Sequence, residues 1–161
     1  MLDAVDKVVD RKTLKEKVDS LRQVGKVVVF TNGCFDLFHV GYVRLLQKAR
    51  KEGDCLVVAV NSDRSVRQIK GPERPKIPEK ERAEVLAAMA CVDWVTIFDE
   101  ADPLVLIKLL KPDVLVKGAD WSEEKIVGAS EVKEAGGKVL RIPLEPGIST
   151  SALIKRIRST E

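Results

Sequence analysis

The residue types best suited to chemistry lie together between residues 30 and 42, where the chain reads Phe-Thr-Asn-Gly-Cys-Phe-Asp-Leu-Phe-His-Val-Gly-Tyr. His39 is the only histidine, and Gly41 follows it after one residue. An imidazole can donate a hydrogen bond to a phosphate oxygen whose charge grows during a reaction, and glycine permits close approach of a ligand to the backbone. An isolated histidine is more often structural, but within this glycine-containing turn we predict that His39 contacts phosphate.

The elements around this turn are predicted to position an anion. Residues 26–31 form an unbroken apolar run that predicts a parallel strand buried on both faces, and residues 37–51 have the apolar spacing of an amphipathic helix. A helix N-terminus presents free backbone N–H groups and the positive end of the helix dipole. The strand, turn and helix together therefore predict an anion-binding site.

The same alternation of strand and helix continues along the chain. Further strands are predicted at 54–60, 92–98, 114–116 and 138–142, and further helices at 13–24, 78–90, 103–110, 122–134 and from 149 onwards. Residues 64–78 are predicted to be a basic loop, which is either simply solvated or able to close over a triphosphate. The prediction is an α/β fold: a single-domain, doubly wound, Rossmann-like sheet of five parallel strands over residues 1–161, with residues 1–25 as an N-terminal helical extension.

Polar residues follow several of the predicted strands. Right-handed crossovers place the C-terminal ends of parallel strands at one edge of the sheet, where open α/β folds bind ligands. Four clusters are therefore expected to converge: the first turn, residues 61–63, residues 117–121 and residues 149–151. The last cluster also has a plainer interpretation, since Ser149 can act as the N-cap of the final helix.

The composition narrows the class of protein. The net charge is +3, but Lys and Arg alternate with Asp and Glu, so no basic stripe indicates binding of nucleic acid. No apolar run has membrane-spanning length and the acidic N-terminus is unlike a secretory signal, so we expect a cytoplasmic protein that does not bind membranes. The three cysteines are widely spaced, which argues against disulfides and zinc, and Cys34 is interpreted as passive rather than nucleophilic.

Two common nucleotide-binding motifs, the Walker-type loop and Gly-x-Gly-x-x-Gly, are absent from the turn. The turn instead resembles the signature of the cytidylyltransferase-like nucleotidyltransferases, in which a strand is followed by Gly-x-Phe-Asp-x-x-His-x-Gly-His and a helix. Residues 148–151 read Ile-Ser-Thr-Ser and resemble the second signature of that family, a Ser/Thr-rich helix start that binds the nucleotide phosphates. The resemblance extends from residue 26 across nearly all of the remaining chain.

Within this family, the similarity is greatest to the adenylyltransferases that act on D-glycero-β-D-manno-heptose 1-phosphate and make ADP-heptose for the lipopolysaccharide core. The segments that carry it are 31–36, 59–63, 70–75, 92–94 and 116–120. Glycerol-3-phosphate cytidylyltransferases share the turn but usually carry Arg-Thr-Glu-Gly where this chain has Leu-Glu-Pro-Gly, so ATP is favoured over CTP. Many bacteria fuse this domain behind a sugar kinase, and a chain of this length is expected to be a stand-alone version.

The resemblance implies a role for each residue at a matching position. It implies in-line attack of a sugar 1-phosphate on the α-phosphorus of ATP, Mg²⁺ that arrives with ATP, no metal site on the protein, and a homodimer. The catalytic candidates are His39, Tyr42 and Lys70. The nucleotide-binding candidates are Thr31, Asn32, Gly33, Cys34, Phe35, His39, Gly41, Arg82, Lys117, Gly118, Asp120, Ser149, Thr150 and Ser151, and the substrate-binding candidates are Asp36, Asn61, Asp63 and Trp121.

Two of these assignments have alternatives. Asp36 is as well explained by bracing of the turn as by contact with a ligand. Arg82 lies in the run Glu-Lys-Glu-Arg and can be interpreted as an exposed charge on a helix, so Lys70 is the stronger candidate for a cation over the triphosphate.

Tyr42 departs from the family signature, which has a second histidine at this position. Tyrosine can donate one hydrogen bond but is normally uncharged near neutral pH. Two hypotheses from different classes follow: an active adenylyltransferase, and a nucleotide-binding protein of the same fold with impaired catalysis.

Replacement of Tyr42 by histidine tests the cost of this departure. Because loss of one transition-state donor commonly slows a reaction by about a hundredfold or more, we expect Tyr42→His to release pyrophosphate from ATP and heptose 1-phosphate at least about tenfold faster than the native chain. Equal rates would contradict the idea that Tyr42 impairs catalysis.

Overall fold

Strand β1 (Val28–Gly33) occupies the centre of a five-stranded sheet and has a neighbour on each side. The computed structural model of the protein describes residues 3–159. The other strands are β2 (Cys55–Asn61), β3 (Trp94–Phe98), β4 (Val114–Gly118) and β5 (Lys138–Ile142). Their order is β3-β2-β1-β4-β5 and each neighbouring pair is parallel, which confirms the predicted doubly wound sheet.

Helices cover both faces of this sheet. Within residues 3–159 they are α1 (Arg11–Gln23), α2 (Val40–Arg50), α3 (Asp63–Lys70), α4 (Glu79–Ala87), α5 (Leu104–Leu110), α6 (Ala129–Glu134) and α7 (Thr150–Arg158). Helices α1, α5 and α6 pack on one face, and α2 and α4 pack on the other. Each face has its own apolar core, and all seven residues of β2 are consequently buried.

The largest departure from the sequence prediction is α3, which occupies the first half of the predicted basic loop. Ser62 caps this helix by accepting a hydrogen bond from Ser65 N, and Val66 is buried beneath it. So short a helix buries only one large apolar side chain, and no apolar repeat therefore marked it in the sequence. The loop proper begins at Gly71, whose φ of +98° ends the helix.

The predicted helix over 122–134 is also wrong in part. It divides into a 3-10 turn at Glu123–Lys125 and the short α6, and Gly128 separates them with a φ of +87°. The first helix begins earlier than predicted because Asp10, rather than Thr13, is its N-cap. The other predicted elements are present, with ends shifted by at most three residues.

The N-terminal segment lies against the β3 edge of the sheet. Residues Ala4–Lys7 form a 3-10 turn, Val8 forms a parallel bridge to Val95, and Lys7 Nζ donates to Val92 O at 3.0 Å. These contacts cover part of an edge that would otherwise expose unpaired backbone groups. Residues 1 and 2 of the predicted helical extension lie outside the described residues.

Arg82 joins four segments near the C-terminal edge of the sheet. Its side chain is buried, and its guanidinium donates to the carbonyl oxygens of Ile77, Cys34 and Asn61 at 2.9, 2.6 and 2.8 Å and to Asp63 Oδ1 at 2.9 Å. A guanidinium presents five N–H donors in a rigid plane, which suits several fixed acceptors at once. The interpretation of Arg82 as an exposed helix charge is therefore wrong.

Arg82→Met is expected to lower the free energy of unfolding by on the order of 3–5 kcal/mol, because it leaves Asp63 and three carbonyl oxygens without their donor. Urea denaturation measures this loss. Lys80→Met is the matched control, since Lys80 is exposed on the same helix, and we expect it to stay within about 0.5 kcal/mol of the native chain. A loss no larger than the control's would contradict the bracing role.

Candidate functional site

The candidate site lies at the C-terminal edge of the sheet, at the boundary between β1 and β4. The chain passes from β1 to β2 on one side and later enters β4 on the other side. Open α/β sheets bind ligands in the crevice at such a switch point. The connection between β1 and α2, residues 34–39, and the start of α2 are both located here.

His39 is the residue before α2 and has the extended conformation of an N-cap, with a φ of −146°. Both of its ring nitrogens are buried, and neither has a hydrogen-bond partner among the described residues. Buried polar atoms are nearly always paired, so two unpaired nitrogens at a helix start indicate a place for a polar ligand. Burial also lowers the pKa of His39 below its ordinary value of 6.5, which keeps the free ring neutral near pH 7.

Tyr42 packs directly on His39. Their ring centroids are 3.9 Å apart and the ring planes are inclined by 21°. Phe35 and Phe38 contact the tyrosine ring, with centroid separations of 5.0 and 5.8 Å. A Cβ atom at Gly41 would lie 2.9 Å from the His39 ring, so this glycine makes room for the histidine ring.

The start of α7 lies next to this aromatic cluster. Tyr42 Oη and Thr150 Oγ1 are 3.2 Å apart. Ser149 accepts a hydrogen bond from Ala152 N at 3.0 Å, which confirms its interpretation as an N-cap, and Ser151 is exposed. The two predicted signatures are thus brought together, each at the N-terminus of a helix where the dipole favours an anion.

The end of β4 contributes a second group of polar atoms. Lys117 Nζ donates to Asn32 O at 3.2 Å, and burial lowers the pKa of Lys117 to about 8, so the ammonium still carries its charge near pH 7. Asn32 Oδ1 is buried and has no partner among the described residues. A Cβ atom at Gly118 would lie 2.7 Å from Asp120 Oδ1, so the glycine permits this close contact. The side chain of Trp121, three residues further along, is 49% exposed.

Asp36 anchors the loop that follows α3. Its buried carboxylate accepts from Lys76 N at 2.8 and 2.9 Å, from Ile77 N at 3.0 Å and from Arg74 Nε at 2.5 Å. Burial raises the pKa of Asp36, but these backbone N–H groups and the Arg74 guanidinium outweigh burial and hold the pKa below its ordinary value. Both carboxylate oxygens are occupied, which favours bracing of the turn over ligand contact.

The anchored loop and α7 line a basic cavity of about 650 Å³ that is open to solvent. Ser151 and five cationic residues line it: Lys70, Arg74, Lys76, Lys155 and Arg158. Glu73 also lines the cavity and pairs with Arg158 at 3.1 Å. Sequence reasoning found Lys70 but missed Lys155 and Arg158. Their spacing of four and seven residues from Ser151, which places all three on one helix face, was the signal that could have found them.

Three predicted ligand-binding residues instead make contacts within the protein. Asn61 Nδ2 donates to Ser65 Oγ at 3.0 Å, and Asp63 Oδ1 accepts from the Arg82 guanidinium at 2.9 Å. Arg82 is committed to the four segments described above. These contacts give the three side chains a place in the framework that supports the site, and their ligand contacts stay predictions.

The remaining residues of the turn shape its backbone. Thr31 Oγ1 donates to Val116 O at 3.0 Å, which ties β1 to β4, and Phe35 has a φ of +47°. A Cβ atom at Gly33 would lie 3.2 Å from the Phe35 ring. Burial raises the pKa of the Cys34 thiol, so the sulfur is held as the less reactive thiol, which supports a passive role.

Residues 3–159 hold neither a candidate metal cluster nor a candidate membrane-spanning helix. No three of their His, Cys, Asp or Glu side chains are grouped so that they could hold a metal ion. None of their helices has the length and apolar character that crossing a bilayer requires.

The sheet is doubly wound and has a histidine-containing turn at its switch point, and a helix that begins with Ser and Thr lies next to this turn. Together these features define a domain of the nucleotidyltransferase class. The chain belongs to the cytidylyltransferase-like family, whose pattern matches residues 30–156. This match confirms the resemblance inferred from the two signatures.

The chain is similar to bifunctional proteins named HldE. It is 54% identical to HldE of Syntrophotalea carbinolica over 147 residues and 55% identical to HldE of Koribacter versatilis over 150 residues. These matches cover 91% and 93% of this chain but 30% and 31% of the relatives. The chain therefore spans about a third of the length of these curated relatives.

Two solved structures share the fold. A lipopolysaccharide core biosynthesis protein from Thermoplasma volcanium is 28% identical with a TM-score of 0.64, and the match covers 74% of this chain and 98% of that chain. A pantoate-beta-alanine ligase from Francisella tularensis is 17% identical with a TM-score of 0.62, over 92% of this chain and 72% of that chain. The second likeness concerns the fold alone.

The lowered pKa of His39 predicts a pH dependence of stability. Below pH 6.5 the unfolded chain binds a proton on this histidine more readily than the folded chain, so the free energy of unfolding should fall as the pH drops from about 7 towards 5.5. Urea denaturation at several pH values should show a shallower slope for His39→Asn, which removes the titrating ring. Because His39 is the only histidine, NMR titration of its single imidazole measures the pKa directly. A pKa at or above 6.5, or equal slopes, would contradict the prediction.

Proposed function

We propose that the chain is an adenylyltransferase that transfers AMP from ATP to D-glycero-β-D-manno-heptose 1-phosphate. The signature residues, the identity with HldE and the likeness to a lipopolysaccharide core biosynthesis protein support this assignment. The observation that carries it is His39: its buried ring nitrogens have no hydrogen-bond partner within residues 3–159, and they lie at a helix start beside the start of α7.

The reaction joins two phosphates and releases two others. A phosphate oxygen of the sugar 1-phosphate attacks the α-phosphorus of ATP, the bond from this phosphorus to the bridging oxygen of the β-phosphate breaks, and pyrophosphate leaves. The products are ADP-heptose and pyrophosphate, and no covalent enzyme intermediate is required. Catalysis of this kind depends on positioning and on electrostatic stabilisation of the transferred group.

His39 and the two helix starts provide that stabilisation in this proposal. The neutral imidazole of His39 donates one hydrogen bond to an oxygen of the α-phosphate, where charge grows in the transition state. The backbone N–H groups at the start of α7 and the ammonium of Lys70 bind the β- and γ-phosphates, which leave as pyrophosphate. The basic cavity beside Ser151 continues the same positive field along α7.

The other wall of the crevice binds the nucleoside and the sugar. We assign the nucleoside to Asn32, Lys117 and the backbone around Gly118, where a side-chain oxygen and an ammonium are held at the switch point. Trp121 is half exposed, which suits contact with the sugar. Asp36 and Arg82 support the turn from below and are not needed as ligands.

Magnesium enters the proposal as part of the substrate, MgATP. The described residues offer no cluster of metal-ligating side chains, and a Mg²⁺ ion is commonly held by substrate phosphates and water. Its chemical contribution is to neutralise charge on the phosphate oxygens.

Family resemblance extends the proposal to assembly and location. We infer a homodimer, the commonest symmetric oligomer, and a cytoplasmic location, where ATP is available. Neither membrane nor nucleic acid is a partner in this proposal.

The experiment compares pyrophosphate release from ATP and from CTP, each with heptose 1-phosphate and with glycerol 3-phosphate. We expect ATP with heptose 1-phosphate to give the highest kcat/KM. His39→Asn should lower kcat by about a hundredfold to a thousandfold because one transition-state donor is lost. Lys48→Ala, an exposed change on the same helix, is the matched control and should stay within about twofold.

The other outcomes separate the alternatives. Preference for CTP with glycerol 3-phosphate would overturn the adenylyltransferase assignment in favour of a cytidylyltransferase. Binding of ATP without turnover on any phosphorylated acceptor would favour the nucleotide-binding protein with impaired catalysis, which the Tyr42 departure motivates.

A further inference from the structure

Tyr42 makes contacts that connect the two halves of the candidate site. Its ring lies on His39 at a centroid distance of 3.9 Å, and its hydroxyl oxygen lies 3.2 Å from Thr150 Oγ1 at the start of α7. Thr150 is 6% exposed, and its hydroxyl oxygen also lies 3.5 Å from Leu37 O in the turn. One consistent donor order runs from Tyr42 to Thr150 and from Thr150 to Leu37 O. The start of α7 is thereby tied to the turn.

The orientation of His39 depends on this neighbour. No described residue forms a hydrogen bond with either ring nitrogen, so packing is the remaining constraint on the imidazole. Tyr42 supplies the ring face, and Phe35 and Phe38 hold the Tyr42 ring in turn. A displacement of Tyr42 would therefore move the imidazole with it.

We propose that Tyr42 is a positioning residue, whose ring orients His39 and whose hydroxyl holds the start of α7, so that two phosphate-binding helix starts keep a fixed separation. This inference rests on the proposed adenylyl transfer and assigns Tyr42 a task other than contact with substrate. A histidine side chain is shorter than a tyrosine, so the link to Thr150 belongs to tyrosine at this position. Tyrosine thus partly offsets the phosphate donor that is lost with the histidine.

A double-mutant cycle tests the link from both ends. The variants are Tyr42→Phe, Thr150→Val and the double variant, and the measurement is kcat/KM for ATP with heptose 1-phosphate as acceptor. Each single change removes one end of a neutral hydrogen bond, so Tyr42→Phe should lower kcat/KM by roughly three- to tenfold. The double variant should be no slower than the slower single variant, because both changes remove the same link. Native rates for Tyr42→Phe, or losses that multiply in the double variant, would overturn the proposal.

A spectroscopic measurement separates positioning from general loss of packing. The chain has one histidine and one tyrosine, so a nuclear Overhauser effect between their rings is assigned directly in the native chain, and in Tyr42→Phe the phenylalanine signals that the native spectrum lacks identify the ring at position 42. The ring contact between positions 39 and 42 should persist in Tyr42→Phe while the rate falls. Loss of that contact together with the rate would assign the effect to packing and overturn the role of the hydroxyl.

Tyr42→His completes the series and keeps the inference distinct from the earlier hypothesis. We expect Tyr42→Phe to be the slowest, the native chain to be faster, and Tyr42→His to be the fastest, because Tyr42→His restores a phosphate donor. A Tyr42→Phe variant as fast as the native chain would overturn the positioning role whatever Tyr42→His does.

ATP affinity makes the test independent of the acceptor. ATP is titrated calorimetrically into the native chain, Tyr42→Phe, Thr150→Val and the double variant. Both single variants should bind ATP more weakly than the native chain, and the double variant should show no further loss of affinity. If the native chain binds ATP but turns over no acceptor, the proposed function fails while this affinity cycle still decides the role of Tyr42. No binding of ATP to the native chain would overturn both.

Discussion

The guanidinium of Arg82 is the interaction on which the layout of the site depends. It bonds the turn after β1, the end of β2, the start of α3 and the segment before α4. The most distant acceptor in sequence is Cys34 O, 48 residues from Arg82, whereas Asn61 O, Asp63 and Ile77 O are 21, 19 and 5 residues away. One buried cation satisfies all of them, and its planar fork permits little adjustment. The hydrogen bond from Arg82 to Cys34 O therefore fixes the turn that carries His39 before any ligand binds.

A second buried charge, the carboxylate of Asp36, also fixes this turn. Asp36 bonds the backbone at Lys76 and Ile77 and pairs with Arg74, so the loop beside the basic cavity is attached to the turn. Opposite charges, Arg82 and Asp36, thus serve as internal braces. Within residues 3–159, the groups that remain for a ligand include the unpartnered ring nitrogens of His39 and Oδ1 of Asn32, the ammonium of Lys117, the cations of the cavity and the two helix starts. The cations and the helix starts favour an anion, which agrees with the nucleoside triphosphate of the proposed reaction.

The sheet could be read from the sequence because its strands are continuous apolar runs separated by Gly, Pro and polar residues. The parallel direction of the strands and the convergence of the first turn with residues 149–151 followed from that alternation. Side-chain roles were less predictable. The sequence made Arg82 a nucleotide-binding candidate, with an exposed helix charge as the alternative, because its local neighbours are charged; in the structure it is buried and donates to three carbonyl oxygens and to Asp63. The pairing of Asp36 with Arg74 spans 38 residues, and no local spacing announces a contact of that kind. Helix α3 was missed because its local signal is small: a helix of eight residues needs only a cap and one buried side chain.

Helix α3 also changes the thermodynamics expected of ligand capture. Fixing the backbone of one residue costs about 1–2 kcal/mol in conformational entropy, and a disordered basic loop would meet that cost for each residue at the moment of binding. The residues from Asp63 to Lys70 are already helical, and Lys70 is placed at the end of this helix next to the cavity. In the proposed reaction, a triphosphate that reaches Lys70 meets a residue whose backbone is already ordered, so residues 63–70 add no backbone ordering cost to binding. In that reaction the helix contributes to affinity through entropy rather than through an additional contact.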